Sequence, residues 1–207
     1  SEGFIQAGFD VISHVEKEPR ACETLKTRVM YYELKKENRL EEYFKYQRKE
    51  QLTREELLGS ESEIYKKINR RVIDEEINEG SFDGIIDQLQ NNREKDGYEK
   101  YNVVLGGPPC QAYSLVGRAR DKNKMDGDDR HFLYEFYLRV LEELKPEMFV
   151  FENVPGLISA ESEDEVIFDR IIQDLRNLDP SYEVAPSFEE FAQTPHKYIL
   201  NSNDFGV

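Results

Sequence analysis

The stretch Tyr101–Ser114, YNVVLGGPPCQAYS, decides the fold. Val103, Val104 and Leu105 make a β-branched, apolar run of the kind that suits a strand covered on both faces. Gly106 and Gly107 then permit close backbone approach, and Pro108 and Pro109 forbid continuation of the ladder. The run therefore breaks into a stiff loop that presents Cys110, and a thiol placed there is positioned to react.

Outward from this loop the pattern alternates. Toward the N-terminus, Glu2–Ala7 reads as a short helix closed by Gly8, and Phe9–Val15 as a strand ending in Glu16. Arg71–Ile77 reads as a short strand, and Ser81–Asn91 as a helix with Ser81 at its N-cap and Ile85, Ile86 and Leu89 turned inward. Thr53 with Glu56, and Ser60 with Glu63, match the capping box and predict two helix starts. Toward the C-terminus, His131–Leu144 carries apolar residues at helical spacing and Pro146 stops it. Met148–Val154 is a second apolar strand, Val166–Leu178 an amphipathic helix, and Tyr182–Ala185 and Tyr198–Leu200 two further strands. Strands alternating with helices predict an α/β fold with a doubly wound, mainly parallel sheet. Residues 30–71, rich in Glu, Lys and Arg, read as a charged helical insertion with solvated faces.

The chain has 207 residues, enough for one domain with an elaboration, and no internal repeat. Forty-three acidic against twenty-eight basic side chains give a formal charge of −15, which opposes a general grip on nucleic acid. A cleft can still concentrate the basic residues it needs, and Arg118, Arg120, Lys122 and Lys124 cluster just after Cys110. Cys22 and Cys110 lie far apart without CxxC spacing, and His14, His131 and His196 share no ligand spacing. Neither a disulfide framework nor a metal site is predicted, and a reducing, cytoplasmic setting is expected. No run approaches the roughly 18 apolar residues of a membrane span, and no signal peptide opens the chain. The sequence starts without Met inside an apolar pattern and stops after a predicted strand, so it is expected to be part of a larger protein.

In open α/β sheets ligands bind outside the carboxyl ends of the strands, which is where Glu16, Cys110 and Glu152 fall. Cys110 needs thiolate character to act as a nucleophile, and Arg118 and Arg120 could supply positive potential. Glu152 rides on an apolar strand, where partial desolvation is expected and a carboxyl can hold or donate a proton. Such a thiol and acid can attack and protonate one substrate ring.

Gly107-Pro108-Pro109-Cys110-Gln111, with Tyr113, Ser114 and Gly117 after it and Glu152-Asn153-Val154 about forty positions on, closely resembles the DNA (cytosine-5) methyltransferases. The Pro-Cys-Gln loop and the Glu-Asn-Val strand are that family's two most specific motifs, and they stand here in order. The resemblance implies a Rossmann-like fold that uses S-adenosylmethionine and acts on double-stranded DNA, without a metal or a membrane. It implies Cys110 as the nucleophile toward carbon 6 of a flipped cytosine, and Glu152 as the group that contacts ring nitrogen 3 and the exocyclic amine. Asn153 would support the Glu152 strand end. Gly3-Phe4 and Gly8-Phe9 look like the helix after a glycine-rich cofactor loop, which makes Glu16 the acid on the cofactor's ribose hydroxyls. Lys17 stands where the family often has a large apolar residue over the adenine. Pro108 and Leu133, the latter in Arg130-His131-Phe132-Leu133, would also line the cofactor. Gln111, Ser114, Arg118 and Arg120 would face DNA.

Leu200-Asn201 through Asp204-Phe205-Gly206-Val207 is similar to the strand that leads into the family's Gln-x-Arg-x-Arg motif. The resemblance thus spans the front of a catalytic domain, without the glycine-rich loop, the target-recognition region or the C-terminal motifs. The chain alone is expected to be inactive. For the acid that contacts the adenine amine, Asp74 and Glu76 are both candidates. A restriction–modification setting is the expectation, with an RNA-directed member of the family and a non-catalytic scaffold as the alternatives.

Overall fold

A computed structural model describes residues 2–48, 50, 53–108, 133–159, 161–162, 165–186 and 198–200. The chain divides into two compact units, Ser1–Lys100 and Tyr101–Val207, each of which is taken by itself.

In the first unit α1 (Glu2–Gln6) closes at Gly8, whose φ of +94° is one that L side chains rarely adopt. Strand β1 (His14–Glu16) pairs in parallel with β2 (Val72–Asp74), and Glu16 stands opposite Asp74. Strand β1 begins later than the Phe9 start expected from sequence. The reason lies in Arg71, whose guanidinium takes the Val11 carbonyl at 3.2 Å and the Asp10 carboxylate, so this stretch is bound by a side chain instead of a ladder. Four helices connect the two strands: α2 (Pro19–Lys36), α3 (Leu40–Gln47), α4 (Arg54–Leu58) and α5 (Glu63–Arg71). Pro19 opens α2 and Lys35 and Lys36 close it, in keeping with the proline preference and the dipole of helix ends.

The expected capping box at Thr53 and Glu56 is present in full. The second cap is not Ser60 but Ser62, whose hydroxyl accepts from the Tyr65 amide at 3.2 Å. The chain first turns through Gly59, with the Ser62 amide bonded to the Gly59 carbonyl at 3.1 Å, so the free amides of α5 begin two residues later. Helix α6 (Phe82–Lys95) follows Ser81 in the expected N-cap position. The Ser81 side chain makes no cap bond to the helix, because its hydroxyl turns back to accept from the Asn78 amide at 3.1 Å and donate to the Glu76 carbonyl.

Residues 30–71 are helical as expected, but they are not only a solvated excursion. Met30, Leu34 and Ile68 are fully buried and pack with Cys22, Val29, Leu58, Ile64 and Val72 into one core. Above that core Arg71, 2 % exposed, lies between Asp10, Glu33 and Asp96, and so ties the α1–β1 loop, α2 and the end of α6 to the α5–β2 junction.

In the second unit β3 (Val103–Gly106) pairs in parallel with β4 (Met148–Phe151), with Gly106 opposite Phe151. Helix α7 (Leu133–Leu144) lies between them in sequence. A 3₁₀ turn (Pro155–Ser159), a short antiparallel pair β5 (Glu161–Ser162) and β6 (Glu165–Val166), and α8 (Ile167–Asn177) follow. Tyr134, Tyr137 and Leu141 of α7 meet Ile167, Ile171 and Leu175 of α8, and Val104, Phe149 and Phe151 pack against them. Burial of this apolar face drives the assembly. Leu105 and Met148 remain exposed.

Two expected strands are absent here. Residues 182–186 have no ladder; Tyr182 instead donates its hydroxyl to the Pro146 carbonyl and sets its ring edge-on to Phe149. Residues 198–200 also lack strand pairing, and Tyr198 packs edge-on to Phe168. Among the described residues no helix is long and apolar enough to cross a membrane.

Candidate active site

The second unit gathers three of the sequence-predicted residues at the carboxyl end of its strands. Gly106 closes β3 and accepts the Glu152 amide at 2.9 Å, the last bond of the β3–β4 ladder. Beyond it the two chains are joined by a side chain. Asn153 Nδ2 donates to the Pro108 carbonyl at 2.9 Å, while Asn153 Oδ1 accepts from the Val154 amide at 2.9 Å. One carboxamide thereby fixes both its own turn and the backbone that leads into Pro109 and Cys110, and this is why β4 stops short of the expected Val154.

The glycine pair has two different reasons. A Cβ on Gly107 would collide with the Glu152 carboxylate, which lies directly against the bare backbone. A Cβ on Gly106 would collide with the ring of Tyr137, which fills that space from the core side. Glu152 is exposed, so the burial expected of it from the apolar strand ends one residue earlier, at half-buried Phe151. Leu133 is half-buried at the start of α7, and Pro108 is half-buried as well. Cys110, Gln111, Ser114, Arg118 and Arg120 lie outside the described residues.

The first unit presents a different group of acids at the ends of β1 and β2. Glu16 is half-buried; its Oε1 accepts from the Glu18 amide at 2.8 Å, and its Oε2 has no partner among the described residues. Beneath it, the wholly buried Cys22 donates its thiol to the Glu16 carbonyl at 3.2 Å. Burial pushes the Cys22 thiol up to about 11, and the nearby Asp74 adds to the effect, so this cysteine is an inert core group. Lys17 is exposed and pairs with Glu76 at 2.7 Å. Of the two acids open to an adenine-contacting role, Glu76 is thus engaged, and Asp74 stands in register opposite Glu16.

Sequence reasoning placed Glu152 and Asn153 together but did not find Tyr137, which read only as an apolar helix position. The paired glycines were the available signal, because each marks a point where another group occupies the place of a side chain.

A family model for C-5 cytosine-specific DNA methylase matches residues 60–207. The chain is 38 % identical over 173 residues to the Type II methyltransferase M.Bpa9945I of Bacillus paralicheniformis, covering 77 % of this chain and 39 % of that protein. It is 34 % identical over 131 residues to the Type II methyltransferase M.AquIA of a Picosynechococcus species, covering 62 % of this chain and 48 % of the relative. It is 46 % identical over 59 residues to the DNA (cytosine-5-)-methyltransferase M.ApeKI of Aeropyrum pernix, covering 28 % of this chain and 13 % of the relative. The chain spans less than half the length of each of these relatives. No solved structure matches it.

Proposed function

The chain belongs to the C-5 cytosine-specific DNA methylase family, and on that premise we propose that the protein carrying it methylates carbon 5 of cytosine in double-stranded DNA. The observation that carries the proposal is the clasp in the second unit: Glu152 lies against Gly107, and Asn153 holds the Pro108 carbonyl at the entrance to the Cys110 loop. The acid and the backbone that runs through Gly107 and Pro108 toward Cys110 in sequence are joined by a close contact and a carboxamide, which supports a reading in which attack and proton donation act on one ring.

Carbon 5 of cytosine is unreactive until a nucleophile adds at carbon 6. The Cys110 thiolate forms that bond, the 5,6 double bond opens, and the electron pair is taken up through nitrogen 3, where the Glu152 carboxyl donates its proton. Carbon 5 then carries the nucleophilic character. S-adenosylmethionine supplies the methyl group when bound. Loss of the carbon 5 proton to a base, of the nitrogen 3 proton back to Glu152, and of the thiolate from carbon 6 restores the ring. The target base leaves the stack for this chemistry, because neither ring face is accessible in a duplex. Gln111, Ser114, Arg118 and Arg120 serve the DNA strand, the arginines at phosphates.

The first unit fits the cofactor. A ribose diol needs a carboxylate acceptor whose position is fixed, and Glu16 has one oxygen anchored on the Glu18 amide while the other is without a partner among the described residues. Asp74 takes the adenine amine in preference to Glu76, which Lys17 engages. Lys17 completes the cofactor's surroundings within this unit.

The sheet is doubly wound in this reading, with residues 30–71 as a charged helical insertion in a methyltransferase catalytic domain. The parallel pairs β1–β2 and β3–β4, each with helices between its strands, support it. The Type II names of the relatives support a restriction–modification role.

The test incubates the protein carrying this chain with labelled S-adenosylmethionine and duplex DNA, with RNA as the parallel arm. Methyl transfer to DNA and a covalent adduct on DNA containing 5-fluorocytosine are expected, both lost in Cys110→Ser. Labelling of RNA alone would move the reading to an RNA-directed enzyme, and labelling of neither would leave a scaffold.

A further inference from the structure

We infer that Tyr137 is a positioning residue for this reaction, one that sets Glu152 through the β3–β4 strand ends from below without touching the substrate; the inference rests on the methyl-transfer reading above. The ring of Tyr137 occupies the volume that a side chain at position 106 would take. Its hydroxyl donates to the Val150 carbonyl on β4 at 3.0 Å and lies 3.4 Å from the Val104 carbonyl on β3. One side chain therefore reaches a carbonyl on each strand, two residues before each strand delivers its part of the site.

The consequences pass upward through Gly106. That residue accepts the Glu152 amide, and Gly107 next to it is the surface on which the Glu152 carboxylate lies. Tyr137 is 8 % exposed and packs against Phe151, with ring centroids 5.6 Å apart, so the ring has little freedom to move. Burial pushes its phenol well above the usual value, which keeps the hydroxyl a donor across the working pH range. The core of this unit thus ends in a polar tether aimed at the strand carrying the proposed acid. An apolar residue of similar size would fill the space and leave the two carbonyls without it.

The experiment compares wild type, Tyr137→Phe, Tyr137→Leu and the double variant Gly106→Ala/Tyr137→Leu in the protein carrying this chain. Tyr137→Phe keeps the ring and gives up one buried hydrogen bond, so its melting temperature is expected to fall only slightly and its KM for DNA and cofactor to stay at wild-type values. The rate of adduct formation on 5-fluorocytosine DNA and kcat are both expected to fall about 3- to 10-fold. Tyr137→Leu is expected to lower the adduct rate about 100-fold. In the double variant the alanine methyl refills the vacated space, so the melting temperature recovers while the adduct rate does not. A wild-type adduct rate in Tyr137→Phe, or recovery of rate and melting temperature together in the double variant, would reduce Tyr137 to packing and overturn the inference. A wild-type protein that forms no adduct on any cytosine would instead remove the methyl-transfer reading, and the inference with it.

Discussion

The two units each end a parallel strand pair on an acid, and they hold that acid in opposite ways. Glu16 is fixed by its own chain, through the Glu18 amide two residues on. Glu152 is set by a different strand, through the missing side chain of Gly107 and the Asn153 clasp on Pro108. The supporting cores differ in the reverse sense. The first unit adds buried charge around Arg71 to its apolar core, whereas the second rests on an apolar face of α7 and α8. The comparison separates two vulnerabilities: charge changes should break the first unit's fold, and a single methyl group should break the second unit's site while sparing its fold.

The largest effect is expected from Arg71→Met. Its guanidinium is 3 % exposed and pairs with Asp10 at 3.0 Å, with Glu33 at 3.6 Å and with Asp96. Removing it takes the shared cation from three carboxylates, which keep Lys36, Lys67 and Arg70 on their outer sides, and breaking a buried pair in this way costs about 3–5 kcal/mol. Denaturant unfolding should show that loss. In the second unit, the pairs of Arg170 with Glu135 and Asp174 are long and half-exposed, at 3.8 and 3.9 Å. Arg170→Met should change stability by about 0.5 kcal/mol or less. Equal losses from the two variants would erase the distinction between the units.

Next comes Gly107→Ala. The group in the way is the end of an exposed, flexible glutamate, so the fold can yield by letting Glu152 swing aside. Stability should therefore stay within about 0.5 kcal/mol of wild type, as for ordinary surface changes. Methyl transfer should drop by about 100-fold, equivalent to roughly 2.7 kcal/mol of transition-state stabilisation. Gly106→Ala meets the buried ring of Tyr137 and should lower the melting temperature as well. A Gly107→Ala enzyme with full activity would show that the position of Glu152 over residue 107 is immaterial.

Much of this arrangement was legible in the sequence. The β3 run, its glycines, the amphipathic periodicity of α7 and α8 and the Thr53–Glu56 box all report local physics that the structure follows. The strand failures share one cause, namely long-range partners that override a local pattern. Phe9–Ser13 has strand composition, yet Arg71, about sixty positions away, claims Asp10 and the Val11 carbonyl. Tyr182 sits in a strand-like run, yet its hydroxyl goes to Pro146. The cap failure is local instead: Ser60 was a reasonable cap by composition, but the turn at Gly59 passed the role to Ser62, while Ser81 holds its expected N-cap position with its hydroxyl turned away from the helix. At the site, the acid was visible as Glu-Asn-Val, whereas the tyrosine beneath it had no motif to announce it.

The smallest expected effect probes the charged unit without disrupting it. His14 begins β1 and lines a cavity of about 270 Å³ together with Glu2, Asp10, Arg28, Glu33, Lys36 and Arg71. Burial, with Arg71 adding to it, pushes the imidazole down to about 4. An unfolded histidine titrates near 6.5, so between these two values the unfolded chain binds the proton and the folded chain does not. Stability contributed by His14 is therefore complete above about pH 6.5 and is lost as pH falls toward 4. Between pH 7.5 and pH 5.5 the loss should be about 1 kcal/mol by this linkage. Asp10 and Glu33 do not interfere in that window. Burial opposes ionisation in both, yet the cations around them hold both carboxyls below their usual range, so their share is lost only at lower pH. His14→Gln should flatten the unfolding free energy between pH 7.5 and 5.5 while leaving the steeper fall below pH 4 unchanged. The same slope in His14→Gln as in wild type would mean that the histidine is solvated and that the charge network alone governs the acid response of this unit.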